Sequence, residues 1–119
     1  MGAFVISQRV SGLYKFEYAS RRGKTIITSN DFELRFECEE QIDYLKQAMA
    51  RVVFMKFKSG NGKFFFRMVL DKKEIAISRK YSTQLLLQKG IDELLRSVAI
   101  AEILDFSSNE AIFPEINWE

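Results

Sequence analysis

The feature that most constrains the fold is a similarity between the two halves of the chain. Each half has four apolar residues spaced i, i+4, i+7, i+11, which places one apolar stripe along one side of a helix. They are Cys38, Ile42, Leu45 and Met49 and, 49 positions later, Leu87, Ile91, Leu94 and Val98. Upstream, residues 12–16 match residues 62–66 at an offset of 50. A similarity that continues in order through successive elements predicts a tandem duplication.

Alternation of apolar and other residues precedes the helical stripe in each half. Its apolar members are Tyr14, Phe16 and Tyr18 in the first half and Phe64, Phe66 and Met68 in the second. This period of two predicts half-buried antiparallel strands. Gly60-Asn61-Gly62 predicts a hairpin between strands at about 51–58 and 63–70. Third strands are predicted at 24–29 and 73–78, with helices starting near Glu33 and near Ser82, a plausible N-cap.

The segment after the first helix has a different pattern. Val52-Val53-Phe54-Met55 is apolar at successive positions, and its counterpart in the second half is 101–106. Such a run predicts a strand covered on both sides, or one that lies centrally between the two halves.

Neither half is expected to fold alone. About 50 residues with a single helix would leave bare strand edges and a thin core. We therefore predict one α+β domain over residues 1–119. It contains two tandem β-β-β-α-β repeats, 1–50 and 51–106, which form one antiparallel sheet with two helices packed on one face. A C-terminal tail, 107–119, follows.

Several of these positions resemble the YegP-like family, small bacterial proteins of uncharacterised function. They are the pattern Gly-x-(Phe/Tyr)-x-Phe at 12–16 and 62–66, the strand-ending Ser29 and Ser78, the aromatic Phe32 and Tyr81, and Gly90-Ile91-Asp92 in a helix. The resemblance implies one sheet in which the strand after each helix is exchanged with the other unit. It implies no known activity or cofactor.

The chain departs from the family pattern at two places. The usual Asn-Gly turn between the second and third strands is replaced by Arg21-Arg22-Gly23 and by Asp71-Lys72-Lys73. In the first half, Gln41 stands where the second half has the helical Gly90.

Composition excludes many catalytic and metal sites. The chain has no histidine, which removes Ser-His and Cys-His pairs, His-ligated metals and the usual general base. Cys38 is the single cysteine, and we expect it to be a buried apolar residue. We therefore expect a protein that is not an enzyme, with no metal or organic cofactor, in a reducing cytoplasm. No apolar run reaches membrane-spanning length, and we expect neither a signal peptide nor membrane association.

Charge suggests one candidate partner surface. Residues 51–80 hold nine Lys or Arg against two acidic residues. If the even-numbered aromatics face the helices, an open face carries cations among aromatics, as in proteins that bind single-stranded nucleic acid. The candidate residues are Phe54, Lys56, Lys58, Lys63, Phe65 and Arg67. The favoured alternative is an interaction or structural protein of unknown partner, since open sheets carry solvated cations and the net charge is only +2.

The tail is a second candidate for interaction. It contains Ile112, Phe113, Ile116 and Trp118 around the only proline, Pro114, and residues 97–119 hold five acidic and no basic side chains. Such a segment is typical of peptides that dock in a groove or along a sheet edge. It can dock on its own chain or on a neighbour. We expect its own chain, because an exposed Trp118 would be unusual.

Overall fold

The structure is a computed structural model that describes residues 2–107, which form one seven-stranded sheet and two α-helices. The strands are β1 (Ala3–Gln8), β2 (Tyr14–Ala19), β3 (Thr25–Ser29), β4 (Val53–Lys58), β5 (Phe64–Leu70), β6 (Lys73–Ser78) and β7 (Glu102–Asp105). The helices are α1 (Arg35–Ala48) and α2 (Gln84–Ser97), each followed by a 3₁₀ turn, Met49–Arg51 and Val98–Ile100.

Both helices begin two residues later than expected. The hydroxyl of Thr83, and not that of Ser82, caps α2 by accepting a hydrogen bond from the Leu86 N–H at 3.1 Å. At α1 the Glu37 carboxylate reaches back to the Leu34 N–H at 3.0 Å. These contacts satisfy N–H groups that a first helical turn leaves unpaired.

The sheet order is β4-β5-β6-β3-β2-β1-β7. Neighbouring strands are antiparallel except β1 and β7, which are parallel, so the prediction of an antiparallel sheet is wrong at this edge and the sheet is mixed. Alternation could not reveal this, because it shows which side of a strand faces the core and not the direction of its neighbour. Each strand that follows a helix pairs with a strand outside the three that precede that helix: β4, after α1, pairs with β5, and β7, after α2, pairs with β1.

The prediction that the strand at 52–55 is covered on both sides or central is wrong as well. β4 is an edge strand, in which Val53 and Met55 are 56% and 46% exposed. Within this run, Phe54 packs against the core, whereas its apolar neighbours Val53 and Met55 face the open side. An apolar run does not distinguish a doubly covered strand from an edge strand with an apolar outer side.

One apolar cluster joins both halves on one side of the sheet. Phe4, Phe16, Tyr18, Phe66 and Met68 are fully buried there, together with Ile42, Leu45 and Leu94 of the helices. The alternate residues of the strands face the other side, which no element covers within residues 2–107. The helices therefore form one layer and the sheet the other.

The two strand-ending serines have the same structural role. The buried hydroxyl of Ser29 accepts a hydrogen bond from the Phe16 N–H at 2.9 Å, and that of Ser78 accepts one from the Phe66 N–H at 2.9 Å. Buried backbone N–H groups need a partner, so a serine at each position satisfies a donor that the ladder leaves free. These residues are structural.

Gly90 is explained by its neighbour. A Cβ at this position would lie 3.0 Å from Cζ of Tyr81 and would overlap the tyrosine hydroxyl. In the first half, the corresponding aromatic is Phe32, which has no hydroxyl, and the corresponding helical residue is Gln41. The first half therefore has a residue with a Cβ at the position of Gly90, and it lacks the tyrosine hydroxyl that such a Cβ would overlap.

The turn between β5 and β6 places two residues other than glycine at positive φ. Asp71 has φ 53° and Lys72 has φ 67°, which is the backbone of a tight hairpin turn that favours Asn-Gly. The Asp71 carboxylate accepts a hydrogen bond from the Tyr44 hydroxyl, which lowers the pKa of that carboxyl, with a further contribution from Arg51. Asp71, which stands in place of the family's Asn-Gly turn, is thus in contact with Tyr44 of α1.

We predict that Phe66→Ala lowers the free energy of unfolding by about 3–5 kcal/mol, because the ring is fully buried. Phe65→Ala is the matched control: this half-buried ring on the open side should cost less than about 2 kcal/mol. Urea denaturation of both variants measures the difference. Equal losses would contradict the assignment of strand faces.

We predict that Gly90→Ala destabilises the protein by about 1–3 kcal/mol, because the new methyl group overlaps the Tyr81 hydroxyl. In a Tyr81→Phe background the cost should be smaller, because the overlap with the hydroxyl is removed and only the 3.0 Å contact with the ring carbon Cζ remains. A double-mutant cycle by thermal or urea unfolding measures this coupling. The same cost in both backgrounds would exclude the hydroxyl as the cause.

Candidate partner surface on the β4–β5 hairpin

The register of the hairpin divides the six predicted surface residues between two faces. Lys56 lies opposite Phe66, and Phe57 lies opposite Phe65. Phe65 and Arg67 therefore lie on the open face as expected, whereas Phe54, Lys56 and Lys58 lie on the helix side. Their expected place beside Phe65 is wrong, because pairing across this turn joins even-numbered residues to even-numbered ones, and a one-residue error reverses a face. Lys63 lies in the turn, outside both strands.

Phe57, and not Phe54, Lys56 or Lys58, is the residue of β4 that lies beside Phe65 on the open face. Its ring stacks on Phe65 with centroids 5.3 Å apart. The Arg67 guanidinium carbon lies 5.4 Å from the Phe57 centroid and 6.0 Å from that of Phe65, and Lys80 Nζ lies 5.9 Å from Phe65. We call Phe57, Phe65, Arg67 and Lys80 the cation–aromatic surface. Phe57 and Lys80 were not among the residues predicted from the sequence; the correct hairpin parity, which pairs Phe57 with Phe65, identifies Phe57.

The cation–aromatic surface has an apolar border and one charge partner. Arg67 of β5 is paired with Met55 of β4 on one side and with Ile77 of β6 on the other. Met55 and Ile77 are 46% and 37% exposed. Arg67 also forms a 2.9 Å ion pair with Glu74. The surface therefore combines a cation over aromatic rings, a carboxylate that pairs with that cation, and exposed apolar side chains.

On the helix side, the remaining candidates have specific contacts. The Phe54 ring packs edge-on against Phe66 at 5.5 Å and is part of the core. Lys56 Nζ donates to Gln88 Oε1 of α2 at 2.9 Å, and Lys58 Nζ lies 5.7 Å from the Phe64 centroid.

An open groove of about 480 Å³ lies between β4 and the start of α2. It is lined by Lys56, Phe57, Lys58, Phe64, Gln84, Leu85, Leu87 and Gln88. We call it the β4 groove. The tail residues Ile112, Phe113, Ile116 and Trp118 lie outside the described residues.

Comparison with known proteins identifies the fold. No protein-family model and no curated protein matches the sequence. Among solved structures, the NMR structure of yegP from E. coli, a protein of unknown function, is similar with a TM-score of 0.76 and 23% identity, over 89% of this chain and 93% of that one. A UPF0339 protein from Shewanella oneidensis is similar with a TM-score of 0.74 and 21% identity, over 89% and 92%. The chain has the YegP-like fold.

The YegP-like fold agrees with the family expected from the sequence and with a mixed α+β sheet carrying two helices. Each helix described between residues 2 and 107 is too short or too polar to span a bilayer. In the same range, no three His, Cys, Asp or Glu side chains are arranged to hold a metal ion.

Cys38 is buried against the YegP-like core. Burial, with a smaller contribution from Asp105, raises the pKa of its thiol to about 11. Since the thiolate is the nucleophile, this environment suppresses its reactivity.

We predict that iodoacetamide modifies Cys38 at pH 8 at least about a hundredfold more slowly in the folded protein than in urea, because a higher pKa lowers the thiolate fraction and burial blocks access. Mass spectrometry over time measures the rate. The urea-unfolded chain is the internal control. Comparable rates in both states would contradict the buried, inert thiol.

Proposed function

We propose that this chain is a small, non-catalytic cytoplasmic protein that binds a polypeptide partner through the cation–aromatic surface. The observation that carries the proposal is the stacked pair Phe57 and Phe65, with Arg67 and Lys80 over the rings, on an open sheet face. Phe57 is 37% exposed although it is a large aromatic residue of an edge strand. Aromatic residues and arginine are enriched at the centres of protein interfaces.

The surroundings favour a polypeptide over a nucleic acid. Val53, Met55 and Ile77 extend the surface with exposed apolar area, which a protein partner can bury. Glu74 compensates Arg67 at 2.9 Å and would repel a phosphate. Both features reduce the net attraction for a polyanion.

Single-stranded nucleic acid is the second candidate for the same surface. Exposed aromatic rings flanked by cations stack bases and neutralise phosphates in proteins that bind single strands. Phe57, Phe65 and Lys80 provide these elements here. Of the six residues first expected, only Phe65 and Arg67 belong to this arrangement.

We also propose that residues 1–50 and 51–106 are tandem units of one domain. Two sets of matched contacts support this: the serine hydroxyls that accept from Phe16 and Phe66, and the isolated bridges of Tyr14 with Phe32 and of Phe64 with Tyr81. Matched contacts at matched offsets are expected of a duplicated sequence.

Photocrosslinking at the surface tests the function. With p-benzoylphenylalanine at position 57, we expect an adduct in a cell lysate that nuclease leaves unchanged and in which mass spectrometry finds peptides of a polypeptide other than this chain. Position 95 is the matched control, since Leu95 is exposed on α2 at 52%. Adducts at neither position, or equally at both, would contradict the proposal.

A nuclease-sensitive adduct at position 57 would instead support the second candidate. Titration with a single-stranded oligonucleotide at low and moderate salt then provides the independent check, because phosphate binding weakens steeply as salt rises. For a polypeptide-binding surface we expect no oligonucleotide binding at low salt.

A further inference from the structure

The outer edges of β1 and β4 occupy corresponding places in the sheet. β1 pairs with β2 on its inner side, as β4 pairs with β5, and the two halves meet at β3 and β6. The outer side of β1 is covered by β7, which runs parallel to it. Within residues 2–107, the outer side of β4 has no partner strand.

The outer edge of β4 has a defined set of backbone groups to offer. The N–H and C=O of Phe64 bond to Tyr81 at 2.8 and 2.7 Å, on the side of β5 that faces away from β4. Because bonded and non-bonded pairs alternate in an antiparallel ladder, Lys58 opposite Phe64 directs its N–H and C=O outward. Lys56 and Phe54 do the same. Such an edge is a template for a further strand.

The covered edge shows how α1 holds a strand. Arg35 of α1 forms a 3.0 Å ion pair with Asp105 of β7, and Lys46 Nζ donates to the carbonyl of Ala101 at 2.6 Å. Ile103 packs against the core and is paired with Phe4. The strand is thus bound through backbone pairing, one apolar side chain and one carboxylate.

The β4 groove is the corresponding place beside α2. At the offset of 49, Arg35, Cys38 and Glu39 of α1 correspond to Gln84, Leu87 and Gln88, and all three of these line the groove. Arg35, the charged partner of Asp105, and Glu39, which pairs with Arg35, are therefore replaced by amides, and Cys38 is replaced by leucine. A strand in the groove would therefore carry an apolar side chain at the position that Asp105 has in β7. Lys56 and Lys58 at the rim of the groove favour a carboxylate next to that apolar side chain.

The occupant that fits this chemistry is in the chain itself. Glu115-Ile116 repeats the Glu102-Ile103 that opens β7, and Trp118 follows at the position of Asp105. Residues 97–119 contain no basic side chain, which complements Lys56 and Lys58. Pairing of β4 with β4 of a second copy would instead bring these lysines together, and like charges on neighbouring strands are destabilising.

We propose that residues 115–118 of a second copy of this chain add to β4 as a parallel strand. Ile116 then pairs with Phe54, as Ile103 pairs with Phe4, and Trp118 pairs with Lys56 and enters the β4 groove. A strand added outside β4 would lie seven strand spacings from β7, roughly 34 Å. The eight Cα–Cα steps from Ser107 to Glu115 cover at most roughly 29 Å when fully extended, so the segment comes from a second copy. Phe57 lines the β4 groove and also belongs to the cation–aromatic surface, but the proposal does not rest on the identity of that surface's partner.

Trp118 provides the readout, because it is the only tryptophan. We expect the full-length chain to be a dimer by light scattering at tens of micromolar, with blue-shifted tryptophan emission. Leu85→Glu, which places a charge in the groove at a 66% exposed position, should give a monomer with red-shifted emission. Phe36→Glu, at the position of α1 that corresponds to Leu85, is 48% exposed and outside the groove; it is the matched control and should behave as the unmodified chain. Circular dichroism checks that both variants fold.

A second pair of variants separates strand addition from side-chain docking. Lys56→Pro removes an outward N–H without breaking the pairing with β5 and should abolish the dimer, whereas Lys56→Ala should keep it within about tenfold in affinity. A monomeric full-length chain, solvent-exposed emission, or equal effects of the two substitutions would overturn the proposal. A dimer that survives Trp118→Ala would also overturn it and would indicate pairing between two β4 edges.

Discussion

The structure depends on the apolar layer shared by the two halves. β3 and β6 pair at the centre of the sheet, and the rings of Phe16 and Phe66 lie in one buried cluster with both helices. Because buried apolar area is the main favourable term in folding, a half deprived of the other would lose much of its core and expose a central strand. The sheet therefore forms as a unit, and the open face and the edge strands are its consequences.

The two edges of this sheet differ for a reason of chain connectivity. β4 follows α1 as β7 follows α2, and it also opens the second half as β1 opens the first. The pairing of β7 with β1 therefore has no counterpart at β4, because β4 would have to pair with itself. The covered edge has Arg35 facing Asp105, while the groove beside the bare edge has Gln84 and Leu87. This asymmetry gives two similar halves one distinct edge, and both proposed interactions use residues of its strand: Phe57 in the cation–aromatic surface and the outer edge of β4 in strand addition.

The groups at this surface are those used in binding. The buried thiol of Cys38 has a raised pKa, and the polar groups of the strands are engaged in structural contacts such as those of Ser29 and Ser78. Among residues 2–107, the surface exposes apolar area, aromatic rings and cations, together with the outer backbone edge of β4. Proteins that use such features recognise extended or flat partners through burial and backbone pairing.

The sequence by itself determined the element types, their order and the buried sides of β2 and β5, though not that of β4, because helical and strand periodicities are local properties of the chain. Phe66, Met68 and the helical stripes were identified on this basis, as was the fold through its family resemblance. Only the tertiary structure decided that β7 lies parallel to β1, that β4 is an edge, and that Phe57 rather than Lys56 shares a face with Phe65. Strand direction, order and register arise from contacts between residues far apart in the chain, and no local pattern encodes which of several compatible pairings has the lowest free energy.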